Sequence, residues 1–448
     1  MKTIRPSSAA QRGFSLIELI VAMGISTILM AALASIFANS INAREKIDRE
    51  GQKIETARYS LDTLAEDIRL AGYYGSYSPP FTGATPADWK YVDPCSTTGG
   101  NPLPGWNPAT APVQVPFPIF GYEAHGTGSL PAALTGCLDN YRDGTDVLVI
   151  RRASTRSVTA GDTTADPPYV AGDPYLQVSS CPDGTVDGQA FHAIATATST
   201  DFNLHVLGCN SLAAGPTAAV RKLITRIYYV SDCDDCVNDL DKDAATTGDG
   251  IPTLKMVELG IPSTGGSALK VKENLRTIAP GVENLHLEYG VDGVGQEWLP
   301  NIAVATGEVR YSGNYYYTAA GAGTTGTLAP GHVTGSASDG GVTWNYSGSM
   351  DGATDSYIVS NANPFNGTSG TLVAGMRTDS AGENRWEDVM SVKLFLITRD
   401  LQSTRSYVDS KSYVMGSITV AAVNNPFRRR LTATTVKLIN MSGRRETP

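Results

Sequence analysis

Six cysteines carry the most obvious chemistry in this 448-residue chain: Cys95, Cys137, Cys181, Cys209, Cys233 and Cys236. An even number, in a chain that opens with a basic leader and an apolar run, favours disulfides over free thiols. Pairing in chain order (95–137, 181–209 and 233–236) is the expectation, and a loop of the first size would stabilise the fold by about 4 kcal/mol. Cys233-Asp-Asp-Cys236 has the spacing of a redox pair. Such a pair needs a lowered thiol pKa, however, and Asp232, Asp234 and Asp235 oppose a thiolate. No second CxxC completes a zinc site, so a structural disulfide is expected there. Asp239, Asp241 and Asp243 have the spacing of a calcium loop. Ala244 stands where the loop needs Gly and Gly250 where it needs Glu, which leaves a weak Ca²⁺ candidate, looser if Asp249 joins it, against a solvated acidic loop.

Signs of catalysis are sparse. Gly321-Ala322-Gly323-Thr324-Thr325-Gly326 fits GxGxxG, but Pro330 and Gly331 follow where a helix must begin. There is no phosphate loop, no GxSxG elbow and no HExxH. The five histidines (125, 192, 205, 286 and 332) are scattered, and His205 and His286 sit in strand patterns. The sequence therefore assigns no catalytic residue and no cofactor, and it reads as a non-enzyme.

One acid stands out by its place. Glu18 interrupts an apolar segment whose uncharged part, Leu19 to Ala38, is 20 residues long. As a helix it would span about 30 Å, the thickness of a bilayer core. A charge inside a membrane costs roughly 2.5–3.5 kcal/mol at the centre and less near an interface, so such a residue usually has a partner. Lys2, Arg5 and Arg12 precede the segment and predict a cytoplasmic N-terminus, with the remainder in the periplasm. A secretory signal is cut after its apolar region. Here the natural cut precedes it, between Gly13 and Phe14.

Arg12-Gly13-Phe14-Ser15-Leu16-Ile17-Glu18 resembles the class III signal of type IV prepilins. That resemblance implies cleavage by a prepilin peptidase after Gly13, N-methylation of Phe14, and assembly into a pilus-like filament. It also implies that Glu18 pairs with the N-terminal amine of a neighbouring subunit. The competing reading is an ordinary signal anchor with Glu18 at the headgroups.

The helix should continue beyond the membrane. Ile47, Ile54, Leu61 and Ile68 recur every seven residues, and Ala57, Leu64 and Ala71 make a second row. This stripe suits packing on a sheet, with an end near Gly72; a coiled coil would look similar. Residues 74–135 hold many prolines and predict an irregular excursion. Strands are expected at Asp146–Arg151, Leu223–Val230, Val389–Thr398 and Leu431–Ile439. Leu285, Leu287 and Tyr289 alternate with Asn284, His286 and Glu288, the pattern of a half-buried strand. One long helix followed by an antiparallel sheet is an α+β arrangement.

The stretch Ala57 to Tyr73 (Ala-Arg-Tyr-Ser-Leu-Asp-Thr-Leu-Ala-Glu-Asp-Ile-Arg-Leu-Ala-Gly-Tyr) resembles the helix end of the PilW family of minor type IV pilins and of the type II secretion minor pseudopilin J. Gly281 to Leu285 with Tyr289 to Asp292, Val392 to Leu396, and Arg429 to Val436 resemble the same family; Ile439 before Asn440 departs from it. The implied fold is pilin-like. The expected divisions are a leader (1–13), a transmembrane and amphipathic helix (14–73), a periplasmic β domain (74–300), a Gly/Ser/Thr-rich β insertion (301–385) and closing strands (386–448). Within the insertion, Tyr315-Tyr316-Tyr317 and Trp344 to Tyr346 either contact sugars or a partner protein, or form a small core of their own.

Charge limits the partners. The chain has a net charge of −9, and loss of Lys2, Arg5 and Arg12 leaves 32 basic against 44 acidic residues, a net of −12. General nucleic-acid binding is therefore not expected, although Arg428 to Arg430 with Arg444 and Arg445 could form a local patch. The resemblance implies a minor pilin at a filament tip that primes pilus assembly for twitching motility, adhesion or DNA uptake. Its implied partners are the prepilin peptidase, other minor pilins, the major pilin, a tip adhesin and the inner membrane. The alternatives are a type II secretion minor pseudopilin and a membrane-anchored carbohydrate-binding module.

Overall fold

The computed structural model describes residues 15–79, 87–123, 134–182, 184–195, 199–210, 215–236, 248–262, 268–293, 295–360, 376–378 and 384–443. Leu16–Leu70 is one helix of 55 residues, about 80 Å long at 1.5 Å per residue. The chain divides into two compact units, one up to Ile54 and one from Glu55 onward.

In the first unit, every described side chain from Leu16 to Asp48 is exposed. Ile47 and Ile54, the first two members of the seven-residue stripe, are 70% and 44% exposed. In the second unit the stripe is covered. Ala57, Leu61, Leu64, Ala65, Ile68 and Ala71 are buried, and all but Ala57 belong to the main hydrophobic core with Phe117, Ile119, Leu148 and Leu285. Each fully buried Leu or Ile contributes about 1.5–3 kcal/mol.

Two antiparallel sheets form the body of this unit. In the seven-stranded sheet, Val147–Val158 pairs with Ile119–Tyr122 on one side and Val220–Ser231 on the other. The far edge of Val220–Ser231 is shared by Tyr175–Val178 and Thr253–Glu258, which carry Phe191–Ile194 and Leu275–Pro280 respectively. The four-stranded sheet runs in the order Ser356–Ile358, Val282–Val291, Val389–Arg399, Arg429–Lys437. A helix with antiparallel sheets is the α+β class read from the sequence.

Three details differ from that reading. Ile119–Tyr122, inside the expected irregular excursion, is a buried strand. Pro116 and Pro118 precede it, and its four residues all retain donors for the ladder. The last strand begins at Arg429 and ends at Lys437, and Ile439–Ser442 turns into a short helix. Most clearly, Val282–Val291 is buried on both faces: His286 and Glu288 are buried along with Leu285 and Leu287. The hairpin of Tyr413–Met415 and Ile418–Val420 explains this. Its Ser417 N–H donates to Glu288 Oε1 at 2.7 Å. Gly416 at its turn (φ 60°) lies so close that a Cβ would collide with the Glu288 carboxylate.

A five-stranded sheet of Gln296–Glu297, Val309–Ser312, Tyr315–Ala319, Val342–Ser349 and Ser336–Asp339 lies between the strands of the four-stranded sheet in sequence. Its own small core is Val304, Tyr317, Ala319, Val342 and Trp344. Tyr317 and Trp344 are therefore fillers of that core rather than exposed contacts. Arg377 anchors this module: its guanidinium sits 4.2 Å from the Tyr311 ring centre and forks onto Asp388 at 2.5 and 2.6 Å.

Candidate functional site

The helix starts at Leu16, so Ser15 holds the N-cap place and Glu18 is the third helical residue. Glu18 Oε2 accepts the Ser15 backbone N–H at 3.0 Å. This is one half of a capping box, and an acid in the first turn complements the helix dipole. The carboxylate is exposed and retains room to accept a further cationic donor. Beyond it runs a bare apolar surface: Leu16, Ile28 and Phe37 are 78%, 70% and 67% exposed. The segment is long and apolar enough to cross a membrane. Gly13 and Phe14 lie outside the described residues.

The other end of the helix is tied down by charge. Asp67 is buried, and its Oδ1 accepts both Nε and Nη2 of Arg152, at 3.0 and 2.8 Å. Its Oδ2 accepts Arg226 Nη1 at 2.8 Å and the Tyr228 hydroxyl. Arg226 Nε also donates to Glu258 Oε2 at 2.8 Å. Burial by itself would push the Asp67 carboxyl up, but Arg226 and Arg152 outweigh it and hold it below the usual carboxylate range. The helix stops at Gly72 (φ 72°), a conformation that favours glycine. There Asn440 Nδ2 donates to the carbonyls of Arg69 and Ala71 at 3.2 and 3.3 Å. A residue from the end of the chain thus satisfies the helix carbonyls that have no partner of their own.

Disulfides join Cys95 to Cys137, Cys181 to Cys209 and Cys233 to Cys236, with Cα separations of 5.5, 5.6 and 5.3 Å. The patch at Arg428 to Arg430 is not an open basic surface. The Arg429 side chain is 2% exposed and bound to Glu283 and, at 3.1 Å, to Asp409, and Arg428 lies over the Tyr407 ring at 4.3 Å, which leaves Arg430 as the exposed one of the three. Arg444, Arg445, His125 and the acidic trio Asp239, Asp241 and Asp243 lie outside the described residues. Among the described residues, Glu123, Asp146 and His286 form a group able to ligate a metal ion. Sequence reading placed Asp146 and His286 in strands and did not join them, because their spacing of 140 residues carries no motif.

Two family models match. The prokaryotic N-terminal methylation motif matches residues 8–34, and the type IV pilus-assembly protein W family, PilW, matches residues 338–440. No curated protein matches the chain.

The chain carries a PilW domain and a prepilin methylation motif.

The PilW match takes in Ser356–Ile358, Val389–Arg399 and Arg429–Lys437, three strands of the four-stranded sheet. It ends at Asn440, the residue that caps the helix. The methylation motif covers the other end of the same helix, with Glu18 inside it. The two signatures together support a type IV pilus minor pilin, and the prepilin motif with the long apolar helix fits membrane anchoring.

Proposed function

We propose that this protein is a minor pilin that enters the pilus at its tip, with other minor pilins, and helps to start filament assembly. It is inserted in the inner membrane with its large domain in the periplasm. The prepilin peptidase cuts between Gly13 and Phe14, and Phe14 is then methylated. Glu18 pairs with the amine of a neighbouring subunit, and the assembled protein is carried to the cell surface to serve twitching motility, adhesion or DNA uptake.

The observation that supports this reading most is the uneven covering of the helix. Its domain end is held by buried ion pairs and a cap, while its apolar end, carrying Glu18, is bare. In a filament the bare surface would be buried against other helices, and an unpaired carboxylate there would be expensive. Glu18→Ala tests this in a strain carrying only the mutant copy. The segment becomes more apolar and the Gly13–Phe14 bond is intact, so insertion and cleavage should continue. Surface filaments should become few and recovery of other minor pilins by pulldown should fall. Wild-type piliation and partner recovery would remove Glu18 from assembly.

A further inference from the structure

Glu123, Asp146 and His286 meet where the two large sheets join. Glu123 follows the Ile119–Tyr122 strand, Asp146 precedes Val147–Val158, and His286 is central in Val282–Val291. Asp146 N–H donates to Leu285 O at 3.0 Å, which stitches the two sheets beside the cluster. His286 Nδ1 lies 2.9 Å from Asp146 Oδ2 and 3.7 Å from Glu123 Oε2. Asp146 Oδ2 also accepts the Leu287 N–H at 2.9 Å.

The cluster is built of buried groups. His286, Asp146 and Tyr289 are 0%, 2% and 1% exposed. Two polar atoms within it have no hydrogen-bond partner: Asp146 Oδ1, an acceptor, and the Tyr289 hydroxyl, a donor. Burial first, and then the charges of Asp146 and Glu123, hold the Tyr289 phenol well above its ordinary range. It occupies the space that a Cβ at Gly121 would need, on the strand face shared by Gly121 and Glu123. An unsatisfied buried donor or acceptor costs about 1–3 kcal/mol. A buried acceptor and a buried donor left open in the same place call for something between them.

We infer that Glu123, Asp146 and His286 form a binding site for one divalent transition-metal ion, Zn²⁺ being the best match, with a metal-bound water held by the Tyr289 hydroxyl and Asp146 Oδ1. Ligand atoms around a tetrahedral ion with bonds of about 2.0–2.2 Å are about 3.4 Å apart; the two separations from His286 are 2.9 and 3.7 Å, and all three ligand atoms lie within 4.8 Å of one another. Two carboxylates and a neutral imidazole balance the charge of one divalent ion in a place where unpaired charge is costly. The imidazole selects a transition metal over Ca²⁺ or Mg²⁺. With Nδ1 on the metal, His286 Nε2 carries the proton and faces Ser417 Oγ at 3.5 Å, the outer contact that orients a histidine ligand. Bound there, the ion would clamp the seven-stranded sheet to the four-stranded one.

The test uses the full chain in detergent, stripped with a chelator and dialysed against ZnCl2, with MgCl2 and CaCl2 as controls. One Zn²⁺ per chain by elemental analysis is expected, with a higher melting temperature that Mg²⁺ and Ca²⁺ do not reproduce. Loss of an outer contact typically weakens a metal site about 10–100-fold, so Glu123→Gln and His286→Gln, which each remove a ligand, should weaken Zn²⁺ binding at least tenfold. Should His286→Gln fail to fold, the Glu123 variant and the visible spectrum of the Co²⁺-loaded wild type decide, an intense tetrahedral spectrum being expected. Substoichiometric Zn²⁺ in the wild type, or stoichiometric Zn²⁺ that Glu123→Gln leaves unchanged, would overturn the site.

Discussion

Ile47 and Ile68 lie on the same seven-residue stripe of one helix, yet Ile47 is 70% exposed and Ile68 is fully buried. The sequence around them is equally periodic. What separates them is that core residues pack against the second part of the helix, while every described side chain from Leu16 to Asp48 in the first part is exposed. Asp67, on that second part, is satisfied by two arginines and a tyrosine. Glu18, on the first, touches only its own helix start among the described residues. A periodic stripe therefore reports that a helix has a face to bury, and tells nothing of whether the covering comes from the same chain.

The largest expected effect of breaking this contrast is at Asp67. Asp67→Ala leaves Arg152 and Arg226 with a lost counter-charge in a buried site, and removing one partner of a buried pair costs about 3–5 kcal/mol. Urea unfolding of the detergent-solubilised protein should show the loss. The same carboxyl sets an acid limit. Its folded pKa is below its unfolded value, near 3.9. Its contribution is thus complete above about pH 4 and is lost as pH falls through the folded value. Asp67→Asn should flatten the stability profile in that acid window and leave the profile near neutrality with its wild-type slope.

Next in size is the paired test of the stripe. Leu64→Ala should cost about 2–5 kcal/mol, the range for a buried leucine. Ile47→Ala should stay within about 0.5 kcal/mol, as exposed changes do, while reducing incorporation into filaments. Equal stability losses at the two positions would erase the distinction between the two parts of the helix. The smallest effect is at the cap: Asn440→Ala removes two hydrogen bonds to helix carbonyls and should cost about 1 kcal/mol. Hydrogen exchange in the last turn before Gly72 should rise with it.

Much of this was legible in the sequence. Leu61, Leu64, Ile68 and Ala71 mark the packed face of the helix because a period near 3.6 has one physical cause. Asp146–Arg151 and Val389–Thr398 read as strands from their apolar runs, whereas the polar continuation of the first through Arg152 to Val158 carried no such signal. The half-buried pattern of Leu285 to Tyr289 misled, because alternation describes a strand and its polar face without saying that the Gly416 hairpin will close over that face. Partners far apart in sequence were not legible at all. Asn440 is 371 residues from Arg69, Arg226 is 159 from Asp67, and no local rule links them. The cluster of Glu123, Asp146 and His286 is hidden for the same reason.

The most direct test of the account is the mass of the N-terminal peptide of this protein in sheared surface filaments. The expected peptide begins at Phe14 and carries one additional methyl group. Filament-associated protein that still retains residues 1–13 would contradict the account.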